Sequence, residues 1–153
     1  MAASGATRER RARCRRAVEL SPAEVVRRSF EIWATRDLDA LVPLYHPEVV
    51  YDCSQRVLNP EIYVGYDGLI GMSEEIDAIW GAFEITIDDL IEVDEERVIA
   101  VMTSNARGRA SGVELLDTKA ASTFTVRDGR IVHAKLYPDR QDAYAEAGIP
   151  SPG

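Results

Sequence analysis

The chain has 153 residues, 46% hydrophobic and 29% charged, a length that predicts one domain with no need of a disulfide or metal to fold. No apolar run approaches the roughly 18 residues of a membrane span, and Cys14 and Cys53 make no disulfide pattern. A reducing, cytoplasmic setting with no membrane contact is expected. The net charge of −8 is unevenly divided. Residues 1–20 carry six arginines against Glu9 and Glu19, giving +4, and residues 21–153 carry 12 basic and 24 acidic residues, giving −12. Residues 1–20 are therefore expected to be a basic, disordered tail, and residues 21–153 the folded domain. That acidic domain repels phosphates, so nucleic-acid binding by it is not expected.

In chain order, Ser21-Pro22-Ala23-Glu24 opens a helix: a serine cap, proline at the first position and glutamate three residues on. Val26, Phe30 and Trp33 form its apolar face, and Arg36-Asp37 ends it. A short second helix carries Leu38, Leu41, Val42 and Tyr45 inward and stops at Pro47. Residues 48–53 alternate as a strand, and residues 54–66 read as irregular. Asp67-Gly68 opens a third helix with Leu69, Met72, Ile76, Ile79, Trp80 and Phe83 on one stripe.

The period then changes to two. Residues 84–93, 97–107, 113–126 and 130–137 read as four long strands joined by turns, with Asp128-Gly129 a strong hairpin signal. Helices first and adjacent hairpins afterwards predict an α+β fold: three N-terminal helices on one face of a curved, mostly antiparallel sheet.

Four stretches resemble the SnoaL-like branch of the nuclear transport factor 2-like superfamily. They are FEIWATRDLDALVPLYHPEVVYD at 30–52, YVGYDGLIGM at 63–72, FTVRDGRIV at 124–132 and LYPDRQDAYAEAGI at 136–149. The resemblance covers about residues 22–149. It implies a cone-shaped α+β barrel with a cavity between sheet and helices, and often a homodimer. It also implies a choice among isomerases, cyclases, epoxide hydrolases, dehydratases and non-catalytic binders.

Matched residue by residue, the catalytic groups of this superfamily are missing. The isomerases' aspartate base falls on Cys53, their oxyanion tyrosine on Ser29 and their neutral aspartic acid on about Ala120. The carboxylic acid that hydrolases and cyclases carry on the last strand falls on Leu136, three residues before Asp139. The hydrolases' tyrosine is matched by Tyr51, but their asparagine again falls on Cys53, and a histidine frequent in the third long strand falls on Ser122. Enolisation needs a base and oxyanion donors, and epoxide opening an acid; neither set is present in those places.

Alternation turns Val49, Tyr51 and Cys53 to one face, and the matching turns Thr118, Ala120, Ser122, Val132, Ala134 and Leu136 inward with them. The candidate ligand-binding residues are Trp33, Tyr51, Cys53, Trp80, Thr118, Ser122 and Leu136. No catalytic residue is assigned. Tyr51 reads as a ligand anchor or a phenol bonded to backbone. Cys53 reads as a small buried residue more than as a nucleophile, and Trp33 and Trp80 as core or as cavity walls. Arg107 reads as a strand-end charge, or as a partner for an acidic ligand group. His46 and His133 are too isolated for a metal site, and no cofactor is expected. The leading expectation is a domain that binds a small hydrophobic molecule. The others are an isomerase, cyclase or hydratase of a polyketide, steroid or terpenoid-like substrate, and a non-catalytic dimerisation or protein-binding domain. Pairing is expected through the outer sheet face, on which alternation places His133, Lys135 and Tyr137.

Overall fold

The computed structural model describes residues 20–151. Residues 1–19 lie outside it, and with them the expected tail and Cys14. Helix α1 is Pro22–Thr35, and the Ser21 hydroxyl accepts the Glu24 N–H at 3.2 Å, as its capping sequence predicts. Arg36 closes α1 in the left-handed region, its N–H returning to the Trp33 carbonyl. Asp37 then caps the short helix α2, Leu38–Leu41, which tightens into a 3-10 turn over Val42–Leu44. Strand β1 is Tyr45–Cys53, so Tyr45 opens a strand instead of closing a helix. Pro47 holds His46 extended, and ladder pairing with Ile131 carries the strand back to Tyr45.

Strand β2, Glu61–Val64, falls inside the segment expected to be irregular. Four residues after a proline carry too little alternation to be read, and the pairing of Tyr51 with Tyr63 across β1 forms the strand. Helix α3 is Gly65–Ile79, two residues longer at its start than Asp67-Gly68 suggests. Gly65 has φ +70°, and a Cβ there would stand 3.1 Å from the Pro47 carbonyl oxygen. Strands β3 (Trp80–Glu92), β4 (Arg97–Gly108), β5 (Glu114–Arg127) and β6 (Arg130–Tyr137) follow, then helix α4, Arg140–Ala147. Trp80 and Phe83 thus lie on β3 and not on the third helix. Their spacing continues the helical stripe, but ladder pairing with Gly108 and Ala106 decides the conformation.

The six strands run in the order β2-β1-β6-β5-β4-β3. The expected meander β3 to β6 is antiparallel throughout, and β1 joins β6 in parallel. Asp128 and Gly129 both take positive φ, as a primed two-residue hairpin turn requires. A register shift beside Val126 places Ile131 in the core at 0% exposure. Val132, expected inward, is pushed to the rim by that shift and remains half-buried.

One core lies between the inner sheet face and α1 and α3, with Val25, Val26, Leu69, Val98, Phe124 and Ala134 at its centre. The outer face has its own smaller core, where α4 lays Ala143 and Tyr144 on Ile99, Val101, Ala121 and Tyr137. Helix α4 has no apolar stripe to announce it, since only those two of its residues are buried. It also buries Tyr137, at 3% exposure, which was expected to be free for a partner. Among the described residues no helix is long and apolar enough to cross a membrane.

Arg140 fastens α4 to the sheet. Its guanidinium reaches the Ala120 carbonyl at 3.2 Å, the Met102 carbonyl at 2.7 Å and Asp88 at 2.7 Å. A hydrogen bond from Thr103 holds the Asp88 carboxyl below its ordinary value, with help from Arg140 and Lys119 against a partial desolvation. Arg140→Ala is expected to destabilise the fold by roughly 2 kcal/mol at neutral pH, in the range of bonds to a charged donor. A carboxyl lowered on folding stabilises above its unfolded value and loses that contribution as pH falls through the folded one. The gap between wild-type and variant melting temperatures should therefore narrow as the pH drops below the usual carboxylate value of 3.8.

Candidate ligand cavity

Between α1, α3 and the inner face of the sheet lies a cavity of about 540 Å3. This is within the range of roughly 300–1,000 Å3 usual for small-molecule sites. The far strands and the helices supply an apolar wall. Phe30 and Trp33 come from α1, Met72 and Ile76 from α3, Phe83 and Ile85 from β3, and Met102 from β4. The wall is aromatic and ordered: Trp33 meets Phe83 edge-on at 5.7 Å, and Phe30 meets Phe124 at 5.8 Å. Arg36 braces Trp33 from outside, its guanidinium carbon 3.7 Å from the ring centroid and its Nε bonded to Asp77.

Strand β1 supplies a different wall. Tyr45, Tyr51 and Cys53 line the cavity from it, followed by Arg56 from the loop beyond. Burial pushes Tyr45 up to about 12, offset in part by the neighbouring Ser29 hydroxyl. Burial also lifts Tyr51 well above its usual 10.0, with Tyr45 and Cys53 acting in the same direction. Both phenols are therefore neutral donors at physiological pH. Cys53, 2% exposed, is pushed up to about 11, chiefly by burial. It is a protonated thiol and not a poised nucleophile.

All seven candidate residues line this one cavity: Trp33, Tyr51, Cys53, Trp80, Thr118, Ser122 and Leu136. The indole Nε1 of Trp33 and the hydroxyl of Ser122 are buried without a hydrogen-bond partner among the described residues. Ser29, where the isomerases carry an oxyanion donor, spends its hydroxyl on the Val26 carbonyl at 2.8 Å. Asp139 caps α4 by accepting the Gln141 N–H and belongs to the fold, not to the cavity. Arg107 is exposed and pairs with Glu114 across the hairpin. His46 accepts the Glu48 N–H, and His133 is exposed on the outer face. Among the described residues no group of His, Cys, Asp and Glu is placed to hold a metal.

The sequence reading missed Arg56 and Glu75. Arg56 lies in the aperiodic loop after β1, so no pattern marks its direction. Its Nη2 donates to the Asn59 carbonyl at 2.6 Å and to the Tyr63 hydroxyl at 2.7 Å. Tyr63 in turn donates to Glu75 on α3 at 2.5 Å. The loop also forms the mouth: Val57 and Leu58, 88% and 62% exposed, line the cavity together with Ile79 and Leu115. Large apolar residues left in water at an opening suit a route for an apolar visitor.

Helices packed on an open, curved, mostly antiparallel sheet around such a cavity define an α+β cone of the nuclear transport factor 2-like kind. The chain belongs to the SnoaL-like domain family, whose model matches residues 26–134. Solved structures share the fold at low identity. One is a nuclear transport factor 2-like protein of unknown function from Burkholderia pseudomallei, with 20% identity and a TM-score of 0.68, covering 82% of this chain and 97% of that one. Another is TerC, co-crystallised with polyporic acid, at 19% identity and a TM-score of 0.66, covering 83% and 98%. A candidate polyketide cyclase from Pseudomonas putida has 18% identity and a TM-score of 0.64, covering 81% and 96%. A comparison with curated proteins gives no match.

The Cys53 environment has a direct consequence. In a Cys14→Ser background, iodoacetamide at about pH 8 is expected to leave Cys53 largely unmodified while the protein is folded. Denaturation should expose it to rapid labelling, which intact-mass spectrometry would follow. Fast labelling of the folded protein would contradict a buried, protonated thiol.

Proposed function

We propose that this SnoaL-like domain binds a small, largely apolar molecule in the cavity, held by shape and by a few donors along β1. The observation that carries this reading is the cavity itself: about 540 Å3, walled by aromatic and aliphatic side chains, with a polar seam on one side. A cavity of this size argues for use over a filled core. TerC was co-crystallised with polyporic acid, and this likeness supports the reading at the level of the fold. A cytoplasmic location is part of it, in keeping with the free, buried Cys53.

A neutral three-ring aromatic, anthracene-2-carboxamide, tests the proposal. Its fluorescence should titrate with a micromolar dissociation constant, and the Trp33 and Trp80 emission should be quenched. Ala120→Phe, which fills the cavity from β5, should weaken binding by at least about tenfold while the melting temperature holds. Unchanged binding by that variant would place the probe elsewhere.

The second reading is an isomerase, cyclase or hydratase acting on a polyketide, steroid or terpenoid-like compound. The candidate cyclase among the neighbours favours it. Against it stand Cys53, Ala120 and Leu136 at the positions where acids and bases are needed.

Pairing of two chains is a further part of the proposal. Helix α4 covers the Ile99–Tyr137 end of the outer face and leaves His133 exposed beside Lys135, so a partner would meet the more polar remainder. Light scattering at micromolar concentration should report twice the chain mass of 17.0 kDa. A monomer would rule this part out and leave the cavity reading intact.

A further inference from the structure

We infer that the cavity selects molecules bearing an acidic oxygen, a carboxylate or an enolate-type anion, and that Arg56 is the residue that selects them. The inference rests on the cavity reading above and adds the chemical class of the ligand.

Among the described residues that line the cavity there are two cations, Arg56 and Lys119. The Lys119 side chain is exposed, and its ammonium donates to the Thr103 hydroxyl at 2.8 Å, whose own proton goes to Asp88, so its charge serves that carboxylate. Arg56 is differently placed. Its two acceptors, the Asn59 carbonyl and the Tyr63 hydroxyl, are both neutral. None of the ion pairs among the described residues involves it. Its Nε is buried with no acceptor among the described residues. A half-buried guanidinium on the cavity wall, with Nη1 unengaged among the described residues and no carboxylate in contact, suits a charge-assisted bond to an anionic oxygen.

The surroundings favour the same class. Tyr63 takes up the Glu75 carboxylate and keeps it one hydrogen bond away from Arg56. The Tyr51 phenol lies close enough to Arg56 to feel its charge, and it stays a neutral donor. The opposite wall, from Trp33 to Met72, is apolar and takes the body of the ligand. The protein as a whole works against anions, since residues 21–153 carry 24 acidic and 12 basic groups. A preference for an acid would therefore have to come from inside the cavity.

The test compares anthracene-2-carboxylate with anthracene-2-carboxamide, two probes of nearly equal shape that differ in charge. The wild-type protein is expected to bind the carboxylate at least about tenfold more tightly. Arg56→Gln should abolish that preference while carboxamide binding stays within about threefold of wild type. Arg56→Lys, which keeps the charge but not the planar fork, should retain part of the preference and covers the case of a misfolded glutamine variant. Equal binding of both probes by the wild type would overturn the inference and leave the cavity reading standing, as would a preference that survives Arg56→Gln. Failure of both probes to bind would overturn the cavity reading, and this inference with it.

Discussion

The length mismatch between strands and helices governs this molecule. Helix α1 and strand β5 each contain 14 residues. At 1.5 Å per residue the helix spans about 21 Å, and at about 3.3 Å per residue the strand spans roughly 46 Å. Two helices of 14 and 15 residues therefore cannot cover the inner face of strands of 12 to 14 residues. The sheet curls over what they leave uncovered. Near Val98, Phe124 and Ala134 helix and sheet meet and exclude solvent. Toward Trp80, Ser104, Leu115 and Thr118 they diverge, and the gap is the cavity. Its position follows from helix length more than from any one lining residue.

Strand β1 is where that geometry acquires chemistry. Period-two alternation sends Val49, Tyr51 and Cys53 inward, and the parallel pairing with β6 sets Tyr51 beside Ala134. A small neighbour leaves room for the phenol, whose ring meets Phe124 edge-on at 6.2 Å. On the other side, β1 pairs with the short edge strand β2, which brings Tyr63 next to Tyr51 in the ladder. Tyr63 then reaches both Arg56 and Glu75. The polar seam thus depends on a four-residue strand that shows almost no pattern of its own.

This contrast explains what was legible in the sequence. The meander of β3 to β6 could be read because long alternating runs and Asp128-Gly129 act locally. The α1 cap could be read because Ser21, Pro22 and Glu24 act within one turn. Inward positions such as Thr118, Ser122 and Leu136 followed from alternation and matching together. What escaped depends on distant partners. The period of Ile76, Ile79, Trp80 and Phe83 is ambiguous between a helix and a strand, and only the ladder with β4 resolves it. Helix α4 buries two residues and is recruited by Arg140 and the outer face. The direction of Arg56 is set by Asn59 and Tyr63, so neither composition nor spacing reveals it. Val132 was misplaced because one register shift reverses which side chain points inward.

The same groups bound what the cavity can do chemically. Proton abstraction from carbon needs a base near the ligand with a pKa close to neutral. The phenols of Tyr45 and Tyr51 and the Cys53 thiol are all shifted upward by burial, toward about 12, well above 10 and about 11 respectively. Each is a donor and none is a competent base. Glu75 is the one carboxylate among the described lining residues, and one of its oxygens already accepts the Tyr63 hydroxyl. A site of neutral donors, with Arg56 unpaired among the described residues and Glu75 engaged by Tyr63, stabilises negative charge on a bound oxygen more readily than it creates it. Such a site favours ligands that arrive already acidic. The groups along β1 therefore support capture of a preformed anion more strongly than any reaction that must generate one.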